Sequence, residues 1–314
     1  MTQIQETKEI YDKIMEEMKK RIVGNENVIE LMFASLLSGG HVLLEGVPGI
    51  AKTLMASTLA EVMTVGFKRI QFTSDLMPAD ITGGNIYDRE TSSFSFIEGP
   101  VFTNVLLADE INRSPPKTQS ALLEAMQEKQ VSIGKTTYKL QEPFMVIATQ
   151  NPIESTGVYP LPEAQIDRFL VKIPVFPPTL HGEVQMLLKK KEKMFADVDS
   201  VTKKDTILKL SSEIEKDVII SNQIIEYIAK LVVATRSVPS LALGSSPRGS
   251  IALLTLSRSI AAIRGRDFVE PDDIKSIFFP VMNHRLILSP EAEIEQIRVN
   301  EIIENILAEV EVVI

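Results

Sequence analysis

Gly46-Val47-Pro48-Gly49-Ile50-Ala51-Lys52-Thr53 is the stretch whose reading decides the fold. It follows a short apolar strand candidate, His41 to Glu45, and opens a helical pattern with Met55, Ala56, Leu59, Ala60 and Met63 on one face. Strand, glycine-containing loop and helix N-terminus, in that order, make a phosphate cradle. The glycines let backbone N–H groups turn inward, and the first turn of the helix adds its positive dipole end. In such a loop Lys52 reaches the outer phosphates and the Thr53 hydroxyl holds Mg²⁺. Gly46, Val47, Pro48, Gly49, Ile50, Ala51 and, one residue past the motif, Leu54 complete the expected nucleotide-binding set. Ala51 stands where a glycine is usual; its methyl group costs room but leaves the N–H donors in place. The alternative is a Gly/Pro turn that only joins strand to helix, and the rest of the chain bears on that choice.

The chain has 314 residues, enough for two domains, with 44% hydrophobic and 24% charged residues, a balance that suits buried cores. A net charge of −9 argues against a large non-specific grip on nucleic acid. With no cysteine, disulfides, thiolate ligands and thiol nucleophiles are excluded. Met1 to Arg21 is charged throughout and lacks the apolar core of a signal peptide, and no run approaches the roughly 20 apolar residues of a membrane span. No membrane insertion and a cytoplasmic location are therefore expected. His41, His181 and His284 are far apart and sit in no ligand-spaced motif.

The first half reads as alternating strands and helices. Strand candidates are His41–Glu45, Lys68–Phe72, Asn104–Asp109, Pro143–Thr149 and Phe169–Pro174, with helices over Lys52–Met63 and Pro116–Glu128, the latter with Ser114 as cap and Pro115 as first helical residue. Alternation of this kind predicts a five-stranded parallel sheet covered on both faces. Asn85 to Ile97, polar with an aromatic alternation at Phe94 and Phe96, and Gln130 to Leu140, which alternates around Gly134, read as hairpins inserted into the sheet domain, the alternative for either being a loop. After Phe176-Pro177-Pro178 the texture becomes helix after helix: Ile219–Val233, Pro247–Ile263, Pro271–Met282 and Pro290–Val310. The division expected is an α/β nucleotide-binding domain over 1–178 and an all-α domain over 179–314.

Val105-Leu106-Leu107-Ala108-Asp109-Glu110 is an apolar strand ending in two carboxylates. Downstream of a phosphate loop, Asp109 would bind Mg²⁺ through water and Glu110 would act as general base on the attacking water. Asn151, at the end of Ala148-Thr149-Gln150-Asn151-Pro152, would present its amide to the same water and the γ-phosphate; otherwise it is a turn asparagine before proline. Ser246-Pro247-Arg248 reads as a helix cap and the first two helical residues. A cation there opposes the helix dipole by ~0.3–1 kcal/mol unless an anion is close, either a nucleotide phosphate or a surface carboxylate. Arg168, beside Asp167, is either its local partner or an arginine finger that crosses a subunit boundary.

The segments GVPGIAKT, VLLADEINRSPPKTQSALLEAMQE, ATQNP, LPEAQIDRF and GSSPRG run in order along nearly the whole chain, and together they resemble the MoxR family of AAA+ ATPases, in the clade with an insertion in its second helix. The resemblance covers Ala51, which agrees with that family's form of the loop. It implies an αβα P-loop core followed by a helical lid, with ATP and Mg²⁺ as ligands. It implies Lys52 as the Walker A lysine, Asp109 and Glu110 as the Walker B pair, and Asn151 as sensor 1. Arg168 would be the arginine finger and Arg248 the sensor 2 arginine, acting on its own or a neighbour's nucleotide. Val23 and Gly24, in Ile22-Val23-Gly24, match the segment that flanks adenine, and the two hairpins match the helix-2 insertion and the pre-sensor-1 hairpin. The family further implies a homo-oligomer, a hexameric ring, that remodels a protein client in a chaperone-like way, with von Willebrand A-domain proteins and metal-dependent clients among its partners. A nucleic-acid motor and a nucleotide-gated scaffold are the competing expectations. A sparsely basic Gln130–Leu140 argues against the first, and intact Glu110, Asn151 and Arg168 against the second.

Overall fold

The computed structural model describes residues 3–89, 92–152, 157–192 and 196–312. In chain order its strands are β1 (Val42–Glu45), β2 (Phe67–Gln71), β3 (Gly83–Asp88), β4 (Ser93–Glu98), β5 (Val105–Asp109), β6 (Gln130–Ile133), β7 (Thr136–Lys139), β8 (Met145–Gln150), β9 (Val171–Pro174), β10 (Leu241–Leu243) and β11 (Ile287–Leu288). The helices are α1 (Gln3–Arg21), α2 (Glu26–Leu37), α3 (Lys52–Val62), α4 (Pro78–Thr82), α5 (Pro116–Glu128), α6 (Glu163–Ile166), α7 (Leu180–Lys191), α8 (Lys204–Asp217), α9 (Asn222–Thr235), α10 (Pro247–Ile263), α11 (Pro271–Met282), α12 (Pro290–Ile294) and α13 (Val299–Glu309).

Five strands form one parallel sheet in the order β2-β5-β8-β1-β9. β8 is inserted between β1, which leads into the phosphate loop, and β5, which ends in Asp109. Parallel strands need both faces covered, and the central strands are accordingly apolar almost throughout, successive side chains entering opposite cores. Val42, Leu44, Val105, Leu107, Met145, Ile147, Val171 and Ile173 face one core, with α3 and the N-terminal helices. Leu43, Leu106, Ala108, Val146 and Ala148 face the other, with Leu122, Leu123 and Met126 of α5. The first of these cores continues into the lid through Tyr227, Leu231, Leu253, Leu256 and Phe278. β3–β4 and β6–β7 are antiparallel hairpins, as the alternation predicts; Glu90 and Thr91, which fall within the first of these predicted segments, lie outside the described residues.

Four local expectations differ from the structure. α5 begins at Pro116 with Pro115 as its cap residue, not at Pro115 with Ser114 as cap; a residue before proline is pushed out of helical geometry, and Pro115 accordingly has ψ 152°. Ile219 is not helical but bridges to Phe268, and α9 starts after Ser221, whose hydroxyl accepts from Ile224 N at 3.2 Å. The last helix is broken into α12 and α13 by Gln296 at φ 59°, a turn that lets Ile302, Ile303 and Ile306 reach the core. The lid also carries a small antiparallel ladder, β10 on β11, so it is not wholly helical.

Candidate nucleotide site

Every strand of the parallel sheet points its carboxyl end to the same edge, where nucleotide sites of open α/β sheets lie. Gly46 follows β1 there, and its N–H donates to Gln150 O at 3.1 Å, tying the loop to the end of β8. A Cβ on Gly46 would stand 2.6 Å from Val175 O and 2.5 Å from Ile50 Cδ1, so only glycine lets the loop pack onto the chain leaving β9. Ala51 adopts φ 63°, a left-handed conformation that costs a non-glycine residue roughly 1–2 kcal/mol. The cost of its methyl group is therefore backbone strain as well as space. Lys52 opens α3 and folds back over the loop, donating to Gly46 O and, at 3.2 Å, to Val47 O. Burial lowers its pKa, while Asp109 and Glu110 act in the opposite direction. Thr53 is half-buried in the first turn of α3, and Leu54 beside it is 39% exposed. Gly24 turns at φ 74° after α1, and a methyl group at Gly182 in α7 would lie 3.8 Å from Val23 Cγ1, which places Val23 beside the start of α7.

The paired carboxylates are held by cross-strand partners. Asp109 is buried; its Oδ1 accepts from Thr149 Oγ1 at 2.6 Å and its Oδ2 from Arg69 Nη2 at 2.6 Å. Glu110 takes the left-handed conformation, φ 57° and ψ 51°, and its N–H donates to Thr149 Oγ1 at 2.9 Å. Its Oε2 accepts from Gln71 Nε2 at 2.7 Å and Arg113 Nη1 at 3.0 Å. A strained residue so over-determined by its neighbours is the pattern of a functional position. Asn151 lies buried one residue past β8, on the same edge. Arg69, Gln71, Arg113 and Thr149 escape a reading by motif. The signal for the first two was the alternation Phe67-Lys68-Arg69-Ile70-Gln71, which puts two polar side chains on one face of a strand that pairs with β5, Gln71 opposite Asp109.

Arg168 and Arg248 are elsewhere. Leu170 N donates to His41 O, and Val171 pairs with Val42, so the segment carrying Arg168 meets the amino ends of the strands. The four residues of β1, about 13 Å at ~3.3 Å each, separate that level from the phosphate loop. Arg168 turns away from Asp167 and donates to Leu123 O at 3.0 Å. Arg248 follows the expected cap, Ser246 Oγ accepting from its N–H at 3.2 Å, and its Nη1 stands 3.8 Å from Asp167 Oδ2. Both arginines line a cavity of about 380 Å³ between α5, α10 and the start of β9. The structure thus gathers Lys52, Thr53, Asp109, Glu110 and Asn151 at one edge, and Arg168 with Arg248 at the other.

Strand order, phosphate loop and paired carboxylates define a P-loop ATPase core of the AAA+ class, here joined to a helical lid. The comparisons agree: residues 41–171 match the model of the ATPase family associated with various cellular activities (AAA), and residues 233–306 match the AAA lid domain. Chaperone MoxR1 of Mycobacterium tuberculosis is 44% identical over 300 residues, covering 93% of this chain and 79% of its own. Protein YeaC of Bacillus subtilis is 45% identical over 301 residues, 96% of this chain and 94% of its own. The crystal structure of a candidate ATPase from Cytophaga hutchinsonii superposes with a TM-score of 0.92 at 42% identity, over 99% of this chain and 97% of that one. The chain belongs to the MoxR family of AAA+ ATPases.

Proposed function

We propose that the protein hydrolyses ATP and uses the cycle to remodel a partner protein, with catalytic groups drawn from two adjacent subunits. The observation that carries this reading is the placement of the site residues at opposite sheet edges: Lys52, Asp109 and Glu110 at one, where Arg69 and Arg113 are already bonded to the carboxylates, and Arg168 with Arg248 at the other. The loop's inward N–H groups and Lys52 bind the phosphates, and Val23 and Gly24 flank the base. Mg²⁺ is held characteristically by one or two carboxylates plus substrate phosphates; Asp109, whose Oδ2 is taken by Arg69 while its Oδ1 accepts from Thr149 and keeps a second lone pair, fits that role, and it and Thr53 would hold the ion. Bound there, it would offset charge on the phosphate oxygens. Glu110 accepts the proton of the attacking water on Oε1, since Gln71 and Arg113 both occupy Oε2. Asn151 orients that water against the γ-phosphate, and Arg168 and Arg248 of the next subunit offset the charge of the transition state.

The chaperone-like role follows the name of the M. tuberculosis relative. The family resemblance adds a hexameric ring, a von Willebrand A-domain partner and a client whose metal centre or cofactor is inserted. Steady-state phosphate release from the wild type, against Glu110→Gln, tests the catalytic half. Equal rates in the two proteins would refute it. Affinity capture with ATP-loaded Glu110→Gln as bait tests the client half; recovery of the same proteins by Lys52→Ala would show that capture does not depend on the nucleotide.

A further inference from the structure

The lid is fastened to the arginine-bearing segment by three consecutive side chains just past α11. Asn283 Nδ2 donates to Lys172 O at 2.8 Å, and His284 Nε2 meets Phe169 O at 3.1 Å. Arg285 donates to Phe169 O at 2.7 Å, to Leu170 O at 3.2 Å and, through Nε, to Asp167 Oδ1 at 2.8 Å. The Arg285 side chain is only 4% exposed, and a guanidinium that deep is tolerated only when paired. The second oxygen of Asp167 accepts from Ser246 Oγ at 3.2 Å and faces Arg248 Nη1 at 3.8 Å. One carboxylate therefore joins buried Arg285, the cap of α10 and half-exposed Arg248, and its own main chain continues into Arg168.

We propose that Asp167 and Arg285 are a positioning pair that sets Arg168 and Arg248 for a neighbouring subunit's nucleotide. The inference rests on the reading that these arginines act in trans. Arg168 has little of its own to fix it: its Nη1 meets Leu123 O, and its buried Nε has no hydrogen-bond partner among the described residues. Its placement comes from the backbone on either side, Asp167 and Phe169, and Arg285 holds both. Arg248 is held loosely, beyond hydrogen-bond range, so it can leave for a phosphate while Arg285 keeps Asp167 in place. A lysine could not replace Arg285, because one ammonium cannot span a carboxylate and several carbonyls in fixed directions.

The test uses Arg285→Met and Asp167→Asn, the second leaving the carbonyl partners of Arg285 intact should the first fold poorly. Each variant is expected to bind ATP with KM within about twofold of wild type while kcat falls at least about tenfold, the signature of a group that acts only in the transition state. Mixing decides which side of the interface is damaged. Each variant, mixed with Lys52→Ala, should regain activity, because the Lys52→Ala subunit donates an intact finger to the variant's intact loop. Mixed with Arg168→Ala it should regain none, since neither subunit then donates a working finger. Rescue of Arg168→Ala by either variant would overturn the proposal, as would wild-type kcat in Asp167→Asn. The control, Arg168→Ala with Lys52→Ala, separates the two levels. If the control recovers and the variants with Lys52→Ala do not, the positioning role is wrong; if the control itself stays inactive, the trans reading fails and takes this inference with it.

Discussion

Lys52 donates to two loop carbonyls, Gly46 O and Val47 O, and both can be solvated when it is gone. Lys52→Ala should therefore lose tight ATP binding in calorimetry while its stability stays within ~0.5 kcal/mol of wild type, as for other residues outside a core. Unchanged nucleotide affinity would remove the phosphate-loop assignment. The two carboxylates next to it are held differently, which predicts different defects. Asp109 is pinned between Thr149 and Arg69, and the proposed function gives it the metal-dependent part of binding. Asp109→Asn should flatten the dependence of ATP affinity on Mg²⁺ concentration. Glu110 has one oxygen engaged by Gln71 and Arg113; Glu110→Gln should still bind ATP–Mg²⁺ but turn it over at least ~10²-fold more slowly. Identical defects in the two variants would show that this division of roles is wrong.

Between elements, His41 is the least expected contributor. It is buried where β1 begins; its Nδ1 accepts from Val146 N at 3.0 Å and its Nε2 faces Met126 O at 3.1 Å, linking β1 to β8 and to the end of α5. Those partners require a neutral ring protonated on Nε2. Burial pushes its pKa from the ordinary 6.5 down to about 4. Between those values the unfolded chain binds the proton and the folded chain does not. The stability is thus complete above pH 6.5 and declines as the pH falls toward 4, by up to ~1.36 kcal/mol per unit. In urea titrations the gap between wild type and His41→Gln should narrow by about 2 kcal/mol from pH 7.5 to pH 5, which is 1.5 units below 6.5 at that slope. His284, shifted in the same direction, is present in both proteins and cancels. A gap independent of pH would contradict the account. His41 also shows where the sequence stops being legible. The phosphate loop, the Asp109-Glu110 strand and the Ser246 cap could be read because each is a local pattern with its own periodicity or capping chemistry. The partners of His41, the cross-strand hold of Arg69 and Gln71 on the carboxylates, and the reach of Arg285 to Asp167 arise from register and packing between segments up to 118 residues apart, which no local pattern encodes. The break at Gln296 is of the same kind, set by where Ile302, Ile303 and Ile306 must land.

One chain presents its phosphate loop at the carboxyl edge of the sheet and Arg168 with Arg248 at the amino edge, the length of β1 away. If, as proposed, a second copy supplies these arginines to the nucleotide, activity depends on assembly. The specific activity of the wild type should rise with protein concentration as subunit pairs form, by mass action, and level off when assembly is complete. Sedimentation under the same conditions should place the rise and the assembly transition at the same concentrations. Arg168→Ala should sediment like the wild type and bind ATP almost as well, yet stay slow at every concentration, because assembly no longer delivers the missing cation. Fingers of this type contribute about 10³–10⁵ in rate in other nucleotidases, so even a partial contribution would be plain in a phosphate-release assay. Arg248→Ala should show a milder form of the same pattern, since its guanidinium is half-exposed and only loosely held by Asp167. A specific activity that is flat from the dilute monomer to the full assembly would mean that each subunit completes its own site, and at the far edge Arg168 would then serve only its bond to α5 and Arg248 only its contact with Asp167.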